Sequence, residues 1–218
     1  MLESLFLPEI IVMLRFGKYC KYAYLTAICC IAGQLLCCPA VAQKPAAVQV
    51  SVGIAKTTDL DNLILYHTDR PLRIGDFKGR PDKASPGVGA TYSGIMMTME
   101  GREERGVLKI TVTLAIYFDR TKSWMKKEGR NDLVLAHEQL HFDLTAIKAC
   151  ALAEAIAKEQ YTAGNVKERL RALQQEHTKE LGEWQQAYDS ETRHGVLREQ
   201  QEQWAQRVTR GLAAEACW

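Results

Sequence analysis

Almost no excess of charge marks this chain. Its 28 Lys and Arg residues against 26 Asp and Glu leave a formal net charge of +2, and no basic face stands out from the mixture. Nucleic acid is therefore excluded as the main partner, because that binding is carried by clustered Lys and Arg. Internal repeats and low-complexity tracts are also missing, which excludes a repeat array. The one long apolar run is short for a bilayer span of about 20 residues. Cysteine is scarce after the first forty residues: Cys20, Cys29, Cys30, Cys37 and Cys38 lie there, leaving only Cys150 and Cys217. Histidine is rare as well, with five in 218 residues.

Two of those five stand four apart, in His137-Glu138-Gln139-Leu140-His141. Chance places an H-E-x-x-H string in a chain of this composition only about once in a hundred. On a helix, residues four apart share a face, so both imidazoles can reach one metal ion. Glu138 points beside the pair and can meet a water on that metal without being a ligand. Zinc lowers the pKa of such a water to about 7, and a neighbouring carboxylate can take its proton. The flanks predict a helix: Asp132 offers an N-cap, Leu133 to Leu144 supplies apolar positions, and Ala-rich sequence continues to Ile156.

With 47% hydrophobic and 25% charged residues, the chain can bury a sizeable core in one domain. Residues 1–42 are expected to be removed. Arg15, Lys18 and Lys21 form a basic start, Ala23 to Cys38 an apolar stretch, and Ala40-Val41-Ala42 a small-x-small cleavage site. Translation beginning at Met13 would suit that layout. Cleavage after Ala42 implies a secreted or periplasmic protein, touching membrane only if the leader stayed uncleaved. In an oxidising compartment, a Cys150–Cys217 disulfide is expected to tie the chain end to the metal helix.

The rest divides in two. Over 46–119 the patterns are those of strands: Val48, Val50, Val52 and Ile54 alternate, Pro71 to Phe77 reads as extended, and Arg80 to Gly87 as a loop. Leu108, Ile110, Val112, Leu114, Ile116 and Phe118 face one way from a half-buried antiparallel strand. Over 131–212 the chain reads as three helices. The second carries the stripe Val166, Leu170, Leu173, His177, Leu181, Trp184, Tyr188, and a turn around Thr192 to Gly195 precedes the third.

A catalytic zinc takes a third protein ligand and leaves one position for water. The candidates are His177, Glu183, Asp189, Glu191 and His194. His177 and its charged neighbours suit a helix surface. The Tyr188–Gly195 segment gathers two carboxylates and a histidine at a turn, where a side chain can reach a neighbouring helix. His194 ranks first there, with Glu191 and Asp189 as alternates.

Taken together, the strings H-E-Q-L-H-F-D at 137–143 and Y-D-S-E-T-R-H at 188–194, with Gly75-Asp76-Phe77, Ala90 to Gly94, Phe118 and Ser123-Trp124, resemble the bacterial secreted zinc-dependent protease family, long catalogued as a domain of unknown function. The resemblance covers most of residues 43–218. It implies a zincin-like metallopeptidase using Zn2+, with His137 and His141 as metal ligands and Glu138 as the catalytic glutamate.

The expectation is thus an α+β, zincin-like domain: an N-terminal, mostly antiparallel sheet followed by three long helices. His137, His141 and His194 would hold zinc and Glu138 would act as base. Asp189, Glu191 or Asp143 would accept the second ring N–H of a ligand histidine. Tyr188 is either an oxyanion donor or a core aromatic. The expected partner is a peptide or protein substrate, paired along strand 107–118 or the segment after it. The alternatives are a zinc-stapled binding protein and an amidase acting on a non-peptide or cell-wall amide.

Overall fold

The computed structural model describes residues 12–14, 47–55 and 62–214. Of the segment read as a leader, only Val12, Met13 and Leu14 fall among them.

The chain is α+β. The strands are β1 (Val12–Leu14), β2 (Ala47–Ile54), β3 (Leu63–Leu65), β4 (Gly89–Ala90), β5 (Ser93–Glu104), β6 (Val107–Asp119) and β7 (Trp124–Met125). The helices are α1 (Asp132–Lys158), α2 (Val166–Thr192) and α3 (Arg198–Ala214). Strands β5 and β6 form a hairpin closed by two residues, Arg105 and Gly106, with φ of 52° and 77°. Left-handed values at both positions match the right-handed twist of the strands they join.

The main sheet has the order β1-β5-β6-β2, with β3 beside the far end of β6. Pairings β5·β6 and β3·β6 are antiparallel, whereas β2·β6 and β1·β5 are parallel. The expected mostly antiparallel sheet is thus corrected to a mixed one. Alternation on β2 and β6 reports which face is buried, and that signal is the same for either direction of pairing. Strand β6 has β5 along one edge and β2 and β3 along the other, so it offers no free edge to a peptide. The segment after it contributes β7, which pairs with β4. Pro71 to Phe77 is not fully extended either. A 3-10 turn at Ile74–Asp76 closes as Asp76 accepts the Arg73 N–H at 2.8 Å.

Helix α1 lies between the sheet and the other two helices. Its C-terminal half puts Leu152 and Ile156 with Met97, Met99, Val112 and Leu114 of the sheet and Leu170 and Leu173 of α2. Its opposite flank packs Leu140, Leu144 and Ile147 with Leu181, Tyr188, Trp204 and Val208. A helix enclosed this way needs apolar residues on more than one face, as α1 has. Helix α2 runs antiparallel to it, Gln185 meeting His141 and Glu180 meeting Lys148. Helix α3 runs in the same direction as α1, with Gln201 at His137 and Gly211 against Ile147. No helix among the described residues is long and apolar enough to cross a membrane.

Candidate metal centre

Asn131, rather than Asp132, caps α1. Its Oδ1 accepts the Leu133 and Val134 N–H groups at 3.1 Å each, two of the donors a helix start leaves open. From that start the helix carries His137, Glu138 and His141 into the interior, at 4%, 3% and 9% exposure. Asp189 of α2 faces them. Its Oδ1 lies 3.0 Å from His137 Nε2 and 3.1 Å from His141 Nε2, and the two Nε2 atoms are 3.3 Å apart.

Those three distances have the size of the edges of a metal coordination shell. Ligands about 2.0–2.1 Å from a tetrahedral ion stand about 3.3–3.4 Å apart, and a cis pair in an octahedral shell about 3.0 Å apart. His137, His141 and Asp189 thus form a buried group able to hold a metal ion, with donors suited to a first-row cation such as zinc.

Outside the donors, two glutamines set the tautomers. Gln185 Nε2 donates to the His141 carbonyl at 3.0 Å, which turns Gln185 Oε1 onto His141 Nδ1. Gln201 Oε1 stands 3.1 Å from His137 Nδ1. An amide oxygen only accepts, so each Nδ1 carries a hydrogen, and each Nε2, once free of its own proton, can present a lone pair to the centre. Tyr188, wholly buried, stacks on His137 at 4.6 Å and meets His141 edge-on at 4.9 Å. Its hydroxyl donates to Gln201 Oε1 at 2.8 Å. It therefore braces the imidazoles, and its oxygen is occupied rather than aimed at a substrate.

Electrostatics follow from the packing. Burial lowers the His141 pKa, but the hydrogen bond and charge of Asp189, with Glu138 beyond, outweigh it and lift the pKa to about 9. Burial raises Asp189, and its bonds to the two histidines overcome that and hold it below the ordinary range. The metal-free centre therefore keeps a proton on His141 at neutral pH, which a metal ion must displace. Glu138 is raised, burial outweighing the pull of His141 and His137. Its Oε2 is buried with no hydrogen-bond partner among the described residues. Its Oε1 occupies the space a side chain on Gly89 would take, 2.5 Å from that glycine's absent Cβ position. Thr91 Oγ1, just after β4, donates to the Glu138 carbonyl at 3.1 Å and ties the link between β4 and β5 to the helix.

Among the expected ligands, His137 and His141 converge and the alternate Asp189 stands with them. His194 lies outside that group, with its Nδ1 3.4 Å from Asp189 Oδ1 and its side chain 65% exposed. Glu191 instead accepts the Trp204 indole N–H at 2.8 Å, and Asp143 accepts from Tyr66 and Gln139 at 3.0 and 2.8 Å. Neither has a hydrogen bond to a ligand histidine among the described residues, whereas Asp189, the third expected acceptor, faces both Nε2 atoms, and Gln185 and Gln201 stand at the Nδ1 atoms. His177 stays on the α2 flank near Glu180 and Lys148, and Glu183 pairs with Lys179. Cys150 is disulfide-bonded. It is the sole cysteine among the described residues, so its partner, Cys217 or another, lies outside them.

The sequence reading missed Gln185, Gln201 and Gly89. A usable signal was there for the first: Gln185, Asp189 and Thr192 recur at helical spacing beside the apolar stripe of α2. Set against protein-family models, curated proteins and solved structures, the chain matches none.

Proposed function

We propose that this chain is a metal-dependent hydrolase, a zinc metallopeptidase acting outside the cytoplasm. The observation that carries the reading is the buried, unpartnered Oε2 of Glu138 beside three converging donors. A buried carboxylate oxygen without a partner costs stability, and here the carboxylate lies next to the ligand histidines, where a general base must be. His137, His141 and Asp189 would hold a zinc ion in this frame, and it would supply the Lewis acidity for attack of water on a scissile carbonyl. Glu138 takes the proton of the attacking water and passes it to the leaving nitrogen. Its raised pKa suits both halves of that transfer. Gln185, Gln201 and Tyr188 hold the imidazoles in the orientation the donors need.

Three protein donors leave room for water, which favours catalysis over a purely structural zinc. The zincin-like assignment and the peptide substrate rest on the family resemblance of the 137–143 and 188–194 strings. The disulfide at Cys150 supports an oxidising compartment. The test is metal analysis of the purified protein, with cleavage of an unfolded protein and of peptidoglycan by wild type and Glu138→Gln. One zinc in both, and cleavage of protein by the wild type at a rate about 10²–10⁴ times that of the variant, is the expected result. Cleavage of peptidoglycan alone would turn the reading to an amidase, and a wild type without metal would end it.

A further inference from the structure

His194 has no place among the three converging donors, yet the backbone holds it over them at a cost. Helix α2 ends in a pair of reversed bonds, His194 N–H to the Asp189 carbonyl at 2.9 Å and Arg193 N–H to the Ser190 carbonyl at 3.3 Å. That ending asks for one left-handed residue, normally glycine. Arg193 fills it with φ of 48°. His194 is a second left-handed residue, φ 54°, and Gly195 a third, φ 79°. Two successive non-glycine residues in this region are strained, which marks sites where geometry serves something else. The extra left-handed steps bring Gly195 against the His137 ring, its absent Cβ position 3.1 Å from Nδ1. They also turn His194 back toward Asp189, to 3.4 Å from the oxygen both other histidines face. That spacing matches the 3.3 Å between the His137 and His141 nitrogens. At 65% exposure, little packs against the ring to stop it rotating inward.

We propose that His194 is an exchangeable fourth metal ligand, closing the centre in the resting protein and leaving it when substrate arrives. The inference rests on the metallopeptidase reading above. It differs from a structural fourth ligand in that the imidazole is on the surface and can exchange for a small anion or a carbonyl oxygen.

The experiment uses zinc-loaded wild type and His194→Asn, because asparagine tolerates the left-handed backbone and removes only the imidazole. X-ray absorption counts the imidazoles on zinc, with and without azide. The expected result is three in the wild type, falling to two when azide saturates, and two in the variant throughout. With cobalt in place of zinc, azide followed by visible absorption is expected to bind the variant at least about tenfold more tightly, since nothing has to be displaced. Two imidazoles in the wild type without azide would overturn this inference and leave the proposed function intact. Three that azide never displaces would overturn the exchange, and a wild type that takes up no zinc would overturn both.

Discussion

The two halves of α1 are equally hidden from solvent and built of opposite materials. Toward the C-terminus, Leu152 and Ile156 are fully buried in apolar surroundings from the sheet and α2. Toward the N-terminus, His137, Glu138, His141 and Thr145 are buried among Gln185, Tyr188, Asp189 and Gln201. One half gives up water for apolar contact, which is the main source of folding free energy. The other keeps a dense polar network in which Glu138 Oε2 has no partner. The helix teaches where stability and chemistry are separated: a single rod is anchored at one end and left partly unsatisfied at the other.

The strongest way to test that separation is to damage the anchored end. Leu152→Ala removes a fully buried side chain from the sheet-facing cluster and is expected to cost about 2–5 kcal/mol in denaturant unfolding. Zinc affinity of the folded variant should be unchanged. A parallel fall in affinity would show the two halves to be one cooperative unit.

A smaller effect belongs to the polar end. Gln185→Leu removes the acceptor for His141 Nδ1 and the donor to the His141 carbonyl. Competition against a chelator of known affinity should show zinc binding about ten- to a hundredfold weaker. An unchanged affinity would mean that helix packing alone orients the imidazole.

How much of this was legible in the sequence follows the range of each interaction. The H-E-x-x-H pair, the helix bearing it and the α2 stripe are local patterns, and they were readable because a helix repeats over a few residues. The parallel pairing of β2 with β6 was not, because the alternation of Val48, Val50, Val52 and Ile54 says which side is apolar and nothing about the neighbour's direction. Among the third-ligand candidates, His194 was preferred for its chemistry and its turn. Asp189 stands in the inner group because α2 lies antiparallel to α1, which brings Gln185 and Asp189 to His141 and His137. That crossing is a tertiary fact. Gly89 was invisible for the same reason, since only the fold reveals that Glu138 needs the space its side chain would fill.

The smallest expected effect is the sharpest, because it changes sign between the halves. Any loss from the apolar end destabilises, whereas Glu138→Gln should stabilise the metal-free protein by about 1 kcal/mol at neutral pH, as a buried carboxylate with an unsatisfied oxygen is replaced by a neutral amide. The pH dependence identifies the cause. The folded-state pKa of Glu138 lies above its ordinary value of 4.5, so the unfolded chain loses this proton first. The penalty is absent below pH 4.5, grows as pH rises toward the folded pKa, and is constant above it. Melting temperatures of wild type and Glu138→Gln in chelator should therefore coincide near pH 4 and separate as pH rises, the variant melting higher. A constant separation across that range would point to repacking rather than to charge. A variant melting lower throughout would mean that Glu138 is a net stabilising group, and the contrast between the two ends of α1 would be lost.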